Sequence, residues 1–455
     1  MAEYAHNLRK EFMRAFNKNI GVGVYLASLK KKIVVILRWS EKYTKTDMVY
    51  LAGGGAWLGL GYAIQVASGL ILAVAFANFL PKESFGTYQF ILSMAGILSV
   101  FTLSGMGVAI TRAVALGDNG ALRSGFRTKL AWNIGIAIAS GAVALYYFIN
   151  GNNELALGFL IVGAFSPFIE GFNLYQPFLI GKEYFKESVL LGAWRKPLPI
   201  VALITAMYFT RDPIVLILVH FSSHIISTGM LYWIVVKKYW FPLTPSKKMT
   251  QYSMHLSVMG IAGRIAVNAD KILIFHFLGA PAVASFVIAQ LPVKYTHNAI
   301  NILQSLTLPK LAKRDYQTLQ KTLPRKVLVL FLTTVILATI YIFTAPLVYP
   351  IIFSSYPESI VLSQVLALSL LLLPRSTYAH ALTAHEKTRE LYVIRFGIPA
   401  VKITLLAILL PLYGIWGAVF ALLISDVIAA ILIRVLFSRE SIGPGYHTGS
   451  PEIDI

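Results

Sequence analysis

The chain has 455 residues, 57% of them hydrophobic and only 13% charged, where a soluble domain carries roughly 25% charged residues. With a mean hydropathy of +0.68, it belongs in a bilayer. The absence of cysteine removes disulfides, cysteine metal sites and thiol catalysis, and the net charge of +20 sits mostly in short segments between apolar runs, as in cytoplasmic loops rather than a nucleic-acid surface.

Residues 1–49 form a basic N-terminal segment. Tyr4, Leu8, Phe12 and Phe16 line one helical face, with Arg9, Lys10, Arg14 and Lys18 on the other, the pattern of an amphipathic helix lying on anionic headgroups. From Tyr50 onward there are twelve apolar runs near the ~20 residues that a bilayer requires. They cover 50–79, 88–116, 126–149, 155–180, 188–208, 214–236, 252–278, 282–309, 327–353, 360–382, 391–410 and 415–437. The expected fold is therefore all-α and integral to the membrane. Its expected parts are a six-helix half over 50–236, a linker over 237–250, a second six-helix half over 251–437 and a tail over 438–455.

Basic residues follow every second run: Arg123, Arg127 and Lys129; Lys182 and Lys186; Lys237 and Lys238; Lys313 and Arg314; Lys387 and Arg389. The alternate loops hold only Lys82 and Arg211, so both termini are expected in the cytoplasm. The halves also repeat. A shift of 198 residues places Phe79-Leu80 on Phe277-Leu278 and Phe85-Gly86-Thr87-Tyr88 on Val283-Ala284-Ser285-Phe286. Six runs per half is an even number, so the halves share one topology and meet about an axis along the membrane normal, with a binding region between them.

The seventh and eighth runs carry charge where lipid offers none. Arg264, Asn268 and Lys271 fall on one helical stripe, and Gln290, Lys294, His297, Asn301 and Gln304 on another. An unpaired Arg or Lys at mid-bilayer costs roughly 2.5–3.5 kcal/mol, so three facing lipid would cost about 8–10 kcal/mol. They are expected to line a cationic, water-filled cavity, with Arg375 and Lys402 at similar depth. The opposing reading is that these cations pair internally with Glu170, Asp270 or Asp426. Gln65, Asn78 and Gln89 are the polar residues that the first half offers. Prolines at Pro292, Pro374 and Pro399 can kink their helices. His220, His224, His276 and His380 read as packed side chains, and no metal site is expected.

Ala77 to Tyr88, the run from Gly105 to Ala115, Asn268 to Ile274 and Phe277-Leu278-Gly279 together resemble segments of the Wzx-type polysaccharide flippases, in the multidrug/oligosaccharidyl-lipid/polysaccharide exporter superfamily. The resemblance covers residues 50–437. It implies a V-shaped, two-lobed plasma-membrane carrier that moves polyprenyl-diphosphate-linked oligosaccharide to the outer leaflet by alternating access. No cofactor is expected, and any coupling to H+ or Na+ would have to involve Glu170, Asp270 or Asp426, the only acids well inside the runs. Glycan polymerase and glycosyltransferases are the partners the resemblance suggests, for a protein acting as a monomer. The two extra spans usual in lipid II flippases are not found here. A diphosphate carries about two negative charges, and each opposite-charge contact in a partly desolvated cleft is worth several kcal/mol. Arg264, Lys271 and Lys294 are its first candidates, with Asn268, His297 and Asn301 suited to phosphate or sugar hydroxyls.

Three rival classes stand beside this one. A membrane glycan polymerase or ligase would need a large outward loop, and none is present. No HExxH, GxSxG or Walker motif appears either. A multidrug antiporter of the same superfamily would want negative charge in its cavity. An uncoupled lipid scramblase is the third alternative.

Overall fold

The computed structural model describes residues 48–239, 247–305, 311 and 314–439. Most of the N-terminal segment, much of the linker and nearly all of the tail lie outside these residues. The described chain is helical and falls into twelve rods. The first is Met48–Phe79, the second Lys82–Leu98 with Met106–Ala115, and the third Ala121–Trp132 with Ile134–Ile149. The fourth is Asn153–Phe172 with Tyr175–Gly181, the fifth Phe185–Trp194 with Pro197–Phe209, and the sixth Pro213–Lys238. Lys247–Leu278, Ala280–Ser305 and Tyr316–Ile352 are the seventh to ninth. The tenth runs from Glu358 to Ala384, the eleventh from Thr388 to Tyr413, and the twelfth is Ile415–Ser438.

Among the described residues nine of these rods are long and apolar enough to cross a membrane, and the tenth, bent by 42°, makes ten. The seventh and eighth have the length, 32 and 26 residues, but are too polar to pass on composition. They are the two rods that carry the charged stripes. Large apolar side chains cover the outside of the bundle, with Ile351 83% exposed, a surface suited to lipid and not to water.

Local chemistry sets the rod ends. Asn152, Asp212 and Asp315 accept the first free N–H groups of the fourth, sixth and ninth rods. Gly279 and Gly414 take φ of +82° and +58°, so the chain can reverse between rods seven and eight and between eleven and twelve. Two of the three prolines sit at irregularities, while Pro292 lies within the unbroken helix Ala280–Ser305. Pro374 sits at the bend of the tenth rod, and Pro399 follows the π-turn Val393–Gly397 in the eleventh.

The internal repeat is visible in these irregularities. The fourth breaks at Asn173-Leu174 and the tenth at Leu373-Pro374, while the fifth and eleventh are both irregular around 195–196 and 393–397.

The cores explain how the halves are joined. At the end that holds the 79–82, 278–280 and 353–357 turns, one apolar cluster is shared. It runs from Phe76, Phe85 and Phe90 to Val283, Phe286, Tyr349 and Tyr356. Phe90 stacks on Phe275 at 3.8 Å between centroids. At the other end the cores are separate. Met106, Tyr175 and Val235 belong to one, and Leu319, Tyr378 and Phe437 to the other. The halves are thus fused at one end and individually packed at the other, in the V shape of the expected fold. The start of the seventh rod stays with the first half, where Gly105 N–H donates to Ser257 Oγ (2.9 Å) and Arg112 stacks over Tyr252.

Candidate functional site

Arg264 reaches out of the second half. Its Nη1 donates to Ser99 Oγ of the second rod at 2.9 Å, and it lines a cavity of 720 Å³ with Glu170, His220, Gly263 and Asn268. Glu170 is held by Lys129 Nζ at 2.8 Å, and Arg264 itself forms no ion pair among the described residues. Asn268 lies against Gly96, where an added Cβ would be 2.7 Å from its Nδ2. The small residue on the second rod makes room for it.

Other cations are already matched. Asp270, 3% exposed, lies 3.4 Å from Lys271 Nζ and 3.7 Å from Lys402 Nζ, and its Oδ2 accepts from Gln290 Nε2 at 3.1 Å. Lys402 also donates to the Ala266 carbonyl at 2.6 Å. Arg375 donates to Asp426 through Oδ1 at 2.6 Å and the backbone carbonyl at 3.0 Å. These links tie the seventh rod to the eleventh and the tenth to the twelfth. Lys294 differs from them, being exposed and free of any ion pair among the described residues. His297 is half-buried on the same rod, while the side chain of Asn301 lies outside the described part.

The residues from the first half go to different places. Gln65 lines a cavity with Gln176, Arg195 and Lys196. Asn78 is at the fused end, where its Nδ2 donates to the Ile352 carbonyl at 3.0 Å. Gln89 is half-buried. The histidines read as packed are so in part: Tyr88 and His220 Nδ1 are hydrogen-bonded at 2.7 Å, and the His220 and His224 rings lie 4.5 Å apart. Among the described residues no group of His, Asp and Glu is placed to hold a metal.

Sequence reasoning missed three cations. Lys129, read as a loop residue, is 5% exposed inside the third rod. Arg195 and Lys196 are the eleventh and twelfth of 25 residues in the fifth rod. Two adjacent unpaired bases at that depth would cost about 5–7 kcal/mol against lipid, and that was the available signal. Being consecutive at a helix break, they form no periodic stripe. Among the described residues, the eight cations named here (Lys129, Arg195, Lys196, Arg264, Lys271, Lys294, Arg375 and Lys402) stand against three carboxylates (Glu170, Asp270 and Asp426), an excess of 8 − 3 = 5 positive charges.

The fused end carries an inter-half lock. Glu358 accepts from Lys82 Nζ at 2.5 Å and from Ser285 Oγ at 2.6 Å. The Gly86 backbone lies so near Ala280 that a Cβ there would be 1.8 Å from the Ala280 carbonyl oxygen. Farther along, the Tyr62 hydroxyl donates to the Tyr295 carbonyl.

The fold has solved counterparts. The lipid II flippase MurJ in an inward closed conformation matches with TM-score 0.65 and 13% identity, over 82% of this chain and 86% of that one. An inward-facing multidrug resistance MATE family transporter of the MOP superfamily matches with TM-score 0.63 and 13% identity, over 82% and 93%. A MOP superfamily transporter from Pyrococcus furiosus, described as having a binding pocket of reverse polarity that suggests a different function, gives 0.60 and 16%, over 86% and 94%. No curated protein sequence matches. Residues 51–314, which is 264 of 455, match the profile of the family described as polysaccharide biosynthesis protein. The chain therefore belongs to the polysaccharide biosynthesis protein family, on the fold shared by the MATE and MurJ transporters.

Proposed function

We propose that this protein is a flippase that carries polyprenyl-diphosphate-linked oligosaccharide from the cytoplasmic to the outer leaflet by alternating access, both termini being cytoplasmic. The observation that carries the reading is the excess of five positive charges among these named residues of a polysaccharide biosynthesis family fold. Internal pairing absorbs Lys129, Lys271, Lys402 and Arg375, but leaves Arg264 and Lys294 without an ion pair among the described residues. An anionic headgroup supplies the missing charge, with Arg264 as a bidentate donor and Lys294 as a point charge. The prenyl chain stays in lipid, because burying it in a cationic interior would strip charges of water without compensation.

In this orientation the fused end faces outward and the divided end faces the cytoplasm. The conformation is then one that admits cargo from inside, held by the Lys82–Glu358 lock and the Gly86 contact. A carrier of cationic drugs would meet repulsion from the same excess. The experiment is reconstitution in vesicles with a labelled polyprenyl-diphosphate oligosaccharide. Protein-dependent appearance of the label in the opposite leaflet, lost in Lys294→Ala and Arg264→Ala at equal incorporation, supports the reading. Transport that both variants leave intact contradicts it. Imposed H+ and Na+ gradients, applied in the same vesicles, separate a coupled carrier from a scramblase.

A further inference from the structure

We propose that Arg195 and Lys196 form a second oxyanion site, inside the first half, for an anionic group of the cargo. The proposal rests on the cargo being an anionic lipid-linked glycan. The site is built where the fifth rod breaks between Trp194 and Pro197, which turns two consecutive side chains inward together. They line a cavity of 310 Å³ with Tyr62, Gln65 and Gln176, whose walls share no residue with the cavity at Arg264.

Charge accounting points to a ligand. Glu170, Asp270 and Asp426 are each engaged by other cations. Neither Arg195 nor Lys196 has an ion pair among the described residues. Arg195 Nη1 donates to the neutral Asn173 Oδ1 at 2.7 Å, and its Nε is buried with no acceptor. The Tyr175 hydroxyl, on the same rod as Gln176, is also buried without a partner. Two adjacent like charges in a low-dielectric interior repel each other, and a buried guanidinium N–H without an acceptor is a costly vacancy. A phosphate or carboxylate in this cavity would relieve that repulsion, pairing with the Arg195 guanidinium and the point charge of Lys196. The amide of Gln176, set against Gly192, and that of Gln65 line the same space and suit sugar hydroxyls.

The ligand chemistry is an oxyanion, and it has two sources: an acidic substituent on the glycan, or the diphosphate itself at another stage of its passage. The test uses full-length protein in lipid nanodiscs, as wild type, Arg195→Lys, Lys196→Met and Lys196→Ala, each matched for thermal midpoint. The probes are a polyprenyl diphosphate bearing a neutral oligosaccharide, the same lipid bearing a uronic acid, and inorganic pyrophosphate. Lys196→Met keeps the apolar stem, so it separates loss of charge from loss of packing. If the group is a sugar acid, the Lys196 variants weaken the uronic-acid probe about tenfold or more, the effect of one charge-assisted hydrogen bond, and spare the neutral probe. If it is the diphosphate, both lipid probes weaken alike and pyrophosphate competes. Unchanged affinity for every probe in both Lys196 variants overturns the site. Wild type that binds none of the probes overturns the cargo reading instead, and with it the ligand named here.

Discussion

Asp270→Asn keeps side-chain volume and removes one charge from a site that is 3% exposed. Two lysines lose their counter-ion, at 3.4 and 3.7 Å. At an effective dielectric of about 20 those distances correspond to roughly 5 and 4 kcal/mol of attraction. Repulsion between Lys271 and Lys402, and the desolvation of all three groups, offset much of that sum. Breaking a buried pair by removing one partner costs about 3–5 kcal/mol net, and this is the expected loss of stability. It is measured by equilibrium unfolding of the purified protein in mixed micelles. Asp270→Asn combined with Lys402→Met removes one orphaned cation, so it should recover part of the loss, and a double-mutant cycle gives the coupling. A single variant within about 1 kcal/mol of wild type would refute the structural role given to Asp270. A double variant less stable than the sum of the singles would refute the pairing.

At the fused end, Gly86→Ala places a methyl group 1.8 Å from the Ala280 oxygen, where ordinary contact begins at 3.4 Å, so the halves must separate by 3.4 − 1.8 = 1.6 Å. Overpacking against backbone costs about 1–3 kcal/mol or more, and a lowered thermal midpoint is expected; an unchanged midpoint removes the contact from the account. Lys82→Ala acts differently, because Lys82 and Glu358 are 32% and 42% exposed and such a pair is worth about 0.2–1 kcal/mol. Global stability should hold, while the balance between states shifts by up to about fivefold. The chain has no native cysteine, so Gln65→Cys is a clean reporter. Its labelling from outside should rise in the Lys82→Ala background, and no rise means that the pair does not hold the halves closed. Glu170→Gln leaves Lys129, 5% exposed, without its partner and should destabilise by about 3–5 kcal/mol; the unfolding titration used for Asp270 reads this directly.

The rods were legible because a bilayer demands long apolar runs, and the repeat was legible because both halves meet that demand with the same turn at 79–82 and 278–280. The stripes on the seventh and eighth rods follow from helical spacing alone. Pairing across distance could not be read in this way. Asp270 meets Lys402 through the fold, 132 residues away in sequence, so composition showed the charges but not which of them cancel. Lys129 stands two residues from Arg127 and six from Arg123, and was indistinguishable from a loop charge until the third rod placed it against Glu170. Asn78 lies in the last turn before Phe79, and depth along the rod sends it to the lock at the fused end rather than to the cavity. Arg195 and Lys196 face inward because the fifth rod breaks there, and no periodic pattern announces a break. The irregularity is itself repeated in the eleventh rod at Val393–Gly397.

The most direct test is equilibrium binding of a polyprenyl-diphosphate oligosaccharide to the purified protein, compared with Arg264→Ala and Lys294→Ala at two salt concentrations. Each substitution should lower affinity about tenfold or more, with the fold intact, and raised salt should weaken the wild type more than either variant. Equal affinity in all three proteins, independent of salt, would contradict a cationic vestibule that receives an acidic headgroup.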